Sequence, residues 1–296
     1  MVEYIKGNTF AVANDAYFTQ FITNGGSVEF YFKIFALITT LIVLFGVKRG
    51  IERVSKITMP LLLILAVIVT IYSVTRAGAL EGVKYFLIPD FSKLTIMTVV
   101  AATGQLFYSL SIAMGILYTY GSYLDKDIDI EEATIQIELF DTGVAILAGL
   151  MIIPAVYAFS SGGASSTLNA GPSLMFITIP KVFASMGLGS IVGFVFFLLV
   201  FVAAITSSIS LAETNASTFE DQFGWNRKKS TIVVTIIIIL LGSTSALGFS
   251  TLDFITIIGM NFLDFFDFIT NSILMPIAAL ATLILILRVV GLDKIA

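Results

Sequence analysis

Residues Gly104–Tyr123 read GQLFYSLSIAMGILYTYGSY, and the reading of this stretch decides the fold. It sits in an apolar run, Ile96–Tyr123, that is longer than one straight membrane span of about 20 residues requires. Its centre is polar and small: Gly104, Gln105, Ser109, Ser111 and Gly115. Two readings are open. A continuous helix would use these residues for tight packing against neighbours. A helix that unwinds at mid-membrane would turn its freed N–H and C=O groups on a substrate or an ion.

The composition places this run in a bilayer. The chain has 296 residues, a mean hydropathy of +1.01, 57% hydrophobic and only 12% charged residues, where soluble domains carry about 25% charged. It contains no Cys, which excludes disulfide frameworks and thiolate sites. It contains no His, which excludes Ser-His-Asp and Cys-His catalysis and every His-ligated metal. Sixteen basic against twenty acidic residues give −4, with no basic stripe to suggest nucleic acid. An all-α integral membrane protein with little equipment for enzymatic chemistry follows.

Working outward, seven spans are predicted: Phe30–Val47, Ile57–Val74, Ile96–Tyr123, Ile135–Phe159, Ile191–Leu211, Thr231–Leu247 and Phe262–Val290. Pro60 falls in the first turn of the second, where a missing N–H costs little. Lys33 in the first snorkels to the interface. Residues 160–187, Gly/Ser-rich and then apolar but broken by Gly171, Pro172 and Pro180, read as a re-entrant extracellular loop with its own short helices. Residues 1–29 read as the tail of a helix and an extracellular loop, without the features of a signal peptide. Both ends read as interior points of a longer protein. The Lys/Arg balance is ten against six. It puts the Gly46–Lys56 and Asn226–Lys229 loops in the cytoplasm, the N-terminus outside and the C-terminus inside.

Polar groups within the spans are the candidate chemistry. Ala203, Thr206, Ser207 and Ser210 recur at i, i+3, i+4 and i+7 and share one helical face. Two hydroxyls and a carbonyl there suit a hard, weakly held cation such as Na⁺; Ser and Thr also bond back to their own helix or let helices pack closely. Asp141 sits in FDTGVAILAGL, and a carboxylate at mid-membrane costs about 2.5–3.5 kcal/mol on insertion scales, so it faces a partner or water unless it lies near the interface. Asp264 and Asp267, at i and i+3, fit either a helix N-terminus or a gate or catalytic pair.

From about Tyr31 to Leu292 the chain resembles a bacterial neurotransmitter:sodium symporter. The ordered blocks KRGIERVSKITMP, GQLFYSLSIAMGILYTYGSYL, DTGVAILAGL, NAGPSLMFITIPKVF, FVAAITSSISLAE and LDFFDFITNSILMPIAAL carry the likeness. The resemblance implies a LeuT-type inverted-repeat fold, with these seven spans as helices four to ten, and a sodium-coupled symporter of amino acids or related small zwitterions. Helices one to three and the end of the family's domain are expected to be missing, and helix one supplies half of each ion site. The chain as given is therefore expected to be a partial transporter domain, or else a truncated fragment without independent transport.

Residue by residue, the resemblance implies a second sodium site at the Ala203 carbonyl, Thr206 and Ser207, and a first at Ser109 and Asp141. It implies a substrate pocket of Tyr108, Ser111, Ala113, Met114, Gly115, Ser208 and Leu211. Gates are implied at Gln105, Asp267 and Tyr123. Asp141 stands where many members carry Asn, and Ala145 where chloride-dependent members carry Ser, so no chloride requirement is expected. Gly50 and Pro60 bracket nine residues that unwind in some members. An intramembrane aspartyl protease using Asp141 with Asp264 or Asp267 is the enzymatic alternative, but no Gly-x-Gly-Asp signature precedes any Asp.

Overall fold

The structure, a computed structural model, describes residues 1–125, 127–159, 172–185 and 187–291. Three short helices, α1 (Val2–Ile5), α2 (Thr9–Val12) and α3 (Asp15–Thr23), precede α4 (Gly25–Leu44). A π turn at Val47–Ile51 leads into α5 (Glu52–Val74), followed by α6 (Ala79–Leu87), α7 (Ile96–Ser109), α8 (Ile116–Gly121) and α9 (Ile130–Phe159). Another π turn, Leu174–Thr178, opens α10 (Ile179–Ser185). Then come α11 (Gly189–Phe223), α12 (Arg227–Leu247), α13 (Phe262–Asp267) and α14 (Met275–Leu285). Among the described residues the only β pairing is an isolated bridge between Ile257 and Met260.

Six stretches are long and apolar enough to cross a membrane: Gly25–Leu44, Val47–Val74, Ile130–Phe159, Gly189–Phe223, Arg227–Leu247 and Phe262–Val289. These are six of the seven expected spans; the other, Ile96–Tyr123, is divided between α7 and α8. The protein is thus an all-α integral membrane protein. Several helices outrun their apolar cores. Because α5 begins at Glu52 behind a π turn, Pro60 lies two turns inside it rather than in its first turn. Its missing N–H is thereby taken from the interior of the helix, whose start is held by a Glu52–Lys56 pair at 2.6 Å. In the last span a π turn over Phe268–Leu274 precedes Pro276, a widening that accommodates the proline ring.

The described residues pack as two compact units. The first comprises Met1–Asn24, Phe45–Lys93 and Leu139–Ser208. Its core joins Leu65, Ala66 and Val69 of α5 to Met151, Ala155 and Val156 of α9, Ile179, Val182 and Phe183 of α10, and Val192, Phe196 and Leu199 of α11. Polar contacts fasten the same helices: Thr70 Oγ1 donates to the Leu147 carbonyl at 3.1 Å, and the Tyr72 hydroxyl to that of Gly187. Residues 1–23 are more than a loop. Tyr4 stacks on Phe197 and Phe18 on Phe176, Thr9 meets Ser190, and Asp15 pairs with Lys181. Of the expected re-entrant loop 160–187, residues 160–171 and 186 lie outside the described residues, and the remainder supplies α10.

The second unit comprises Gly25–Leu44, Leu94–Glu138 and Ile209–Ala296 among the described residues. Here α4 lies along α12. Thr40 and Thr235 hydroxyls meet at 2.9 Å, and Ser243 donates to Glu29 at 2.6 Å. Glu29 also holds Lys33 at 2.9 Å, so the lysine expected to snorkel is ion-paired. Gly242 admits the Phe32 ring, which a Cβ there would meet at 2.2 Å.

Gly82 sets the approach of α6 to α9: a Cβ would stand 2.7 Å from the Cα of Pro154 and 3.0 Å from Tyr157 Cβ. Gly82→Ala is therefore expected to destabilise the protein by about 1–3 kcal/mol, as overpacking does. A thermal melt of the purified full-length protein in detergent checks this, and an unchanged Tm would mean that α6 is not seated there.

Candidate ion and substrate site

The α7–α8 break is built from backbone. The 14 residues of α7 reach about 21 Å and the six of α8 about 9 Å, so neither alone crosses a hydrocarbon core of about 30 Å. Between them the chain turns through left-handed conformations at Ser111 (φ 56°), Ala113 (φ 63°) and Gly115 (φ 79°). The end of α7 is a Schellman motif: Ser111 N–H donates to the Tyr108 carbonyl at 3.1 Å and Ile112 N–H to that of Phe107 at 2.9 Å. The left-handed residue of that motif is usually Gly. Serine and alanine in such positions carry a strain of roughly 1–2 kcal/mol each. With Leu110 N–H on the Leu106 carbonyl at 3.0 Å, three of the last four carbonyls of α7 are closed locally, while the first N–H groups of α8 have no partner within that helix. Gly115 lets α8 start against α11, where a Cβ would meet Thr214 Cγ2 at 2.9 Å. The unwinding reading of the sequence is thus the one the structure adopts.

The residues expected around this break fall as follows. Tyr108 and Ser109 close α7, with Gln105 one turn earlier; all three are exposed, Tyr108 at 52%. Ser111, Ala113, Met114 and Gly115 form the break itself and are half-buried. Leu211, on α11, is exposed at 47%. All of these belong to the second unit.

Ala203, Thr206, Ser207 and Ser208 lie on α11 in the first unit. Thr206 Oγ1 donates to the Ala203 carbonyl at 2.9 Å and touches that of Val202 at 3.2 Å, while Ser208 Oγ donates to Ile205 at 2.9 Å. Back-bonding and cation binding are compatible here. A hydroxyl that donates its proton to its own helix keeps its oxygen lone pairs for a cation, and a carbonyl has two lone pairs. Asp141, also in the first unit, is half-buried in α9. Since α9 starts at Ile130, Asp141 stands about three turns inside the helix rather than near its mouth. On the same helix, Gly149 seats the Phe86 ring and Gly143 faces open space.

The two aspartates of the last span separate by role. Asp264 belongs to the start of α13, where Asn261 accepts from its N–H at 2.9 Å and donates to its carboxylate at 2.8 Å. Asp267 is exposed and accepts from Asn271 at 2.6 Å.

Tyr123 leads to a cluster that the sequence reading passed over. Its hydroxyl donates to Glu213 Oε1 at 2.7 Å, and Glu213 is 0% exposed. Arg227 holds the same carboxylate through two nitrogens and also donates to the Val43 carbonyl at 3.0 and 2.7 Å. Glu220 lies 3.5 Å from the guanidinium. One turn toward the break, Tyr120 and Ser210 hydroxyls meet at 3.2 Å. Glu213 lies beyond the apolar run that ends at Leu211, and Arg227 enters the sequence pattern only as a charge that fixes orientation. The signal was present: Thr206, Ser210 and Glu213 continue one face at i, i+4 and i+7. Among the described residues, no three of His, Cys, Asp and Glu gather to hold a metal.

The chain is similar to known membrane transporters. Residues 2–296 match the sequence profile described as the Sodium:neurotransmitter symporter family. An uncharacterized sodium-dependent transporter of Bacillus subtilis (strain 168), YhdH, is 37% identical over 248 residues, 83% of this chain and 54% of that protein. An uncharacterized sodium-dependent transporter of Haemophilus influenzae is 34% identical over 260 residues, 88% of this chain and 56% of its own. The crystal structure of MhsT in complex with L-phenylalanine superposes with a TM-score of 0.84 at 41% identity, covering 96% of this chain and 65% of that one. The chain spans about half the length of the curated relatives it matches. The fold is of the LeuT type, with the seven spans standing as helices four to ten.

Glu213→Ala would take its two-pronged carboxylate partner from the half-buried Arg227 guanidinium, leaving it Glu220 and the Val43 carbonyl, a loss of about 1.5–3 kcal/mol. Replacing both partners, as Glu213→Leu with Arg227→Met, is expected to restore most of it. Thermal unfolding of the full-length variants reads this directly, and a double variant as unstable as the single would refute the pairing.

Proposed function

Because this chain belongs to the sodium:neurotransmitter symporter family, a family of transporters and not of enzymes, we propose that it forms the larger part of a sodium-coupled symporter for an amino acid or related small zwitterion. The break at Leu110–Gly115 is the observation that carries the reading. It places a helix end, a helix start and the left-handed residues Ser111 and Ala113 within a span, a strain that a bilayer protein sustains where a ligand is bound. Tyr108 closes over the pocket, Ser111 to Gly115 offer backbone to the substrate's charged groups, and Met114 gives the side-chain pocket an adaptable wall. Ser208 and Leu211 complete that wall. The phenylalanine bound by MhsT supports a zwitterionic amino acid as the class of substrate.

Thr206, Ser207 and the Ala203 carbonyl supply half of one Na⁺ site, and Ser109 with Asp141 half of the other. The coupling is linkage: Na⁺ and substrate each raise the other's affinity. The Asp141 carboxylate carries the negative charge that chloride would otherwise bring, so chloride is not required. Gln105 and Asp267 belong to the extracellular gate, and Tyr123, through its bond to buried Glu213, to the cytoplasmic one. The protein is a multi-pass protein of the cell membrane, with residues 1–29 and 160–187 outside and the C-terminal end inside. Segments equivalent to the family's helices one to three complete each half-site.

The exposure of Tyr108, Gln105 and Ser109 favours a second reading, that these residues alone are a fragment without transport. The mass of the native protein in its own membranes separates the two. A mass near 32.0 kDa supports the fragment, and one nearer that of its relatives supports the symporter.

In proteoliposomes, the full-length protein is expected to take up amino acid only with an inward Na⁺ gradient. Thr206→Ala and Ser207→Ala should each raise the Na⁺ needed for half-maximal uptake by about tenfold or more, since a contact to a charged group is worth about 1.5–3 kcal/mol. Uptake indifferent to Na⁺ would sink the assignment, and stimulation by chloride would sink the role given to Asp141.

A further inference from the structure

A cavity of about 760 Å³ lies against the turn between α4 and α5, lined by Phe45, Lys48, Arg49, Glu52, Arg53 and Lys56. All five charged side chains are exposed. They recur at i, i+1, i+4, i+5 and i+8, which stacks them on one face of two helical turns. The opposite face, Gly50 and Ile51, is buried, so packing within the unit does not account for the basic one. The lone carboxylate is already matched: Glu52 holds Lys56 at 2.6 Å, which leaves Lys48, Arg49 and Arg53 in excess.

The same groove has an apolar border. Phe45 is 69% exposed at its edge, and Ile57, Met59 and Ile64 follow it, exposed, along the span that begins here. Cations above and bare hydrocarbon below, at the end of a membrane span, match one kind of ligand: a phosphodiester with acyl chains attached. The two arginines add a planar fork suited to phosphate oxygens, which a lysine offers only as a point charge.

We propose that this groove is a binding site for the headgroup of an anionic phospholipid, with Arg49 and Arg53 on its phosphate, Lys48 beside them, and Phe45 and Ile57 against its chains. The site differs in ligand and place from the transport site, and it does not depend on which side of the membrane the turn occupies.

The test is native mass spectrometry of the detergent-solubilised full-length protein titrated with dioleoyl phosphatidylglycerol or dioleoyl phosphatidylcholine. Phosphatidylglycerol should bind more tightly by about tenfold. Arg49→Gln with Arg53→Gln should lower its affinity by roughly tenfold to thirtyfold, at about fivefold per juxtamembrane charge. The conservative Arg49→Lys with Arg53→Lys should keep much of it, which guards against a variant that merely fails to fold. Lys84→Gln with Lys93→Gln, the same loss of charge outside the groove, should leave it unchanged. Equal binding of the two lipids, or equal loss in the two neutralised pairs, would overturn the proposal by reducing the groove to part of a diffuse field. Displacement of the lipid by millimolar inorganic phosphate would overturn the lipid in favour of a free anion.

Discussion

A helix cannot simply stop inside hydrocarbon, because its terminal N–H and C=O groups would go unpaired where no water reaches them. The chain nonetheless stops α7 at Ser109 and restarts at Ile116. It limits the damage locally, by a Schellman closure around Ser111 and by left-handed turns at Ala113 and Gly115. That closure, with the Leu110 N–H on the Leu106 carbonyl, gives partners to three of the last four carbonyls of α7. The polar composition of the span, the glycine at its end and the close seat of Gly115 against Thr214 all follow from this one interruption.

A second buried polar assembly sits at the other end of α8. Glu213 is fully buried, yet each of its oxygens is met by Arg227, and one also by Tyr123. Breaking such a pair costs far more than its net contribution to stability. Its value lies in specifying which arrangement of α4, α11 and α12 is allowed, since Arg227 reaches the Val43 carbonyl as well. Three helices of one unit are registered by a single guanidinium.

Much of this was legible in the residues themselves. Hydropathy alone marked seven spans, of which six stand as long apolar helices, because a run of apolar residues in a helix is a strong signal that tertiary context does not reverse. The break was legible as an ambiguity: the polar centre of Gly104–Tyr123 allowed packing or unwinding, and no proline decided between them. Helix ends were misjudged wherever charged residues continued a helix past its apolar core, as Glu52–Lys56 does for α5 and Glu213–Phe223 for α11. The same error hid Glu213. The helices of residues 1–23 were hidden because each is short and is held by contacts to distant positions, such as Ser190 and Lys181, that no local pattern announces.

The threonines of the spans fall into two populations. Thr58 and Thr103 are shown donating to the carbonyl four residues back in their own helix. Thr40, besides its own Ala36 carbonyl, and Thr70 reach a different helix, at Thr235 and at the Leu147 carbonyl. Over evolutionary time the two should drift differently. The first kind can exchange with valine, which keeps the shape and strands no partner, while the second is tied to the residue it meets and changes only when that residue does. Threonine-to-valine variation across descendants of this chain would then trace which helices touch, with no coordinates in hand.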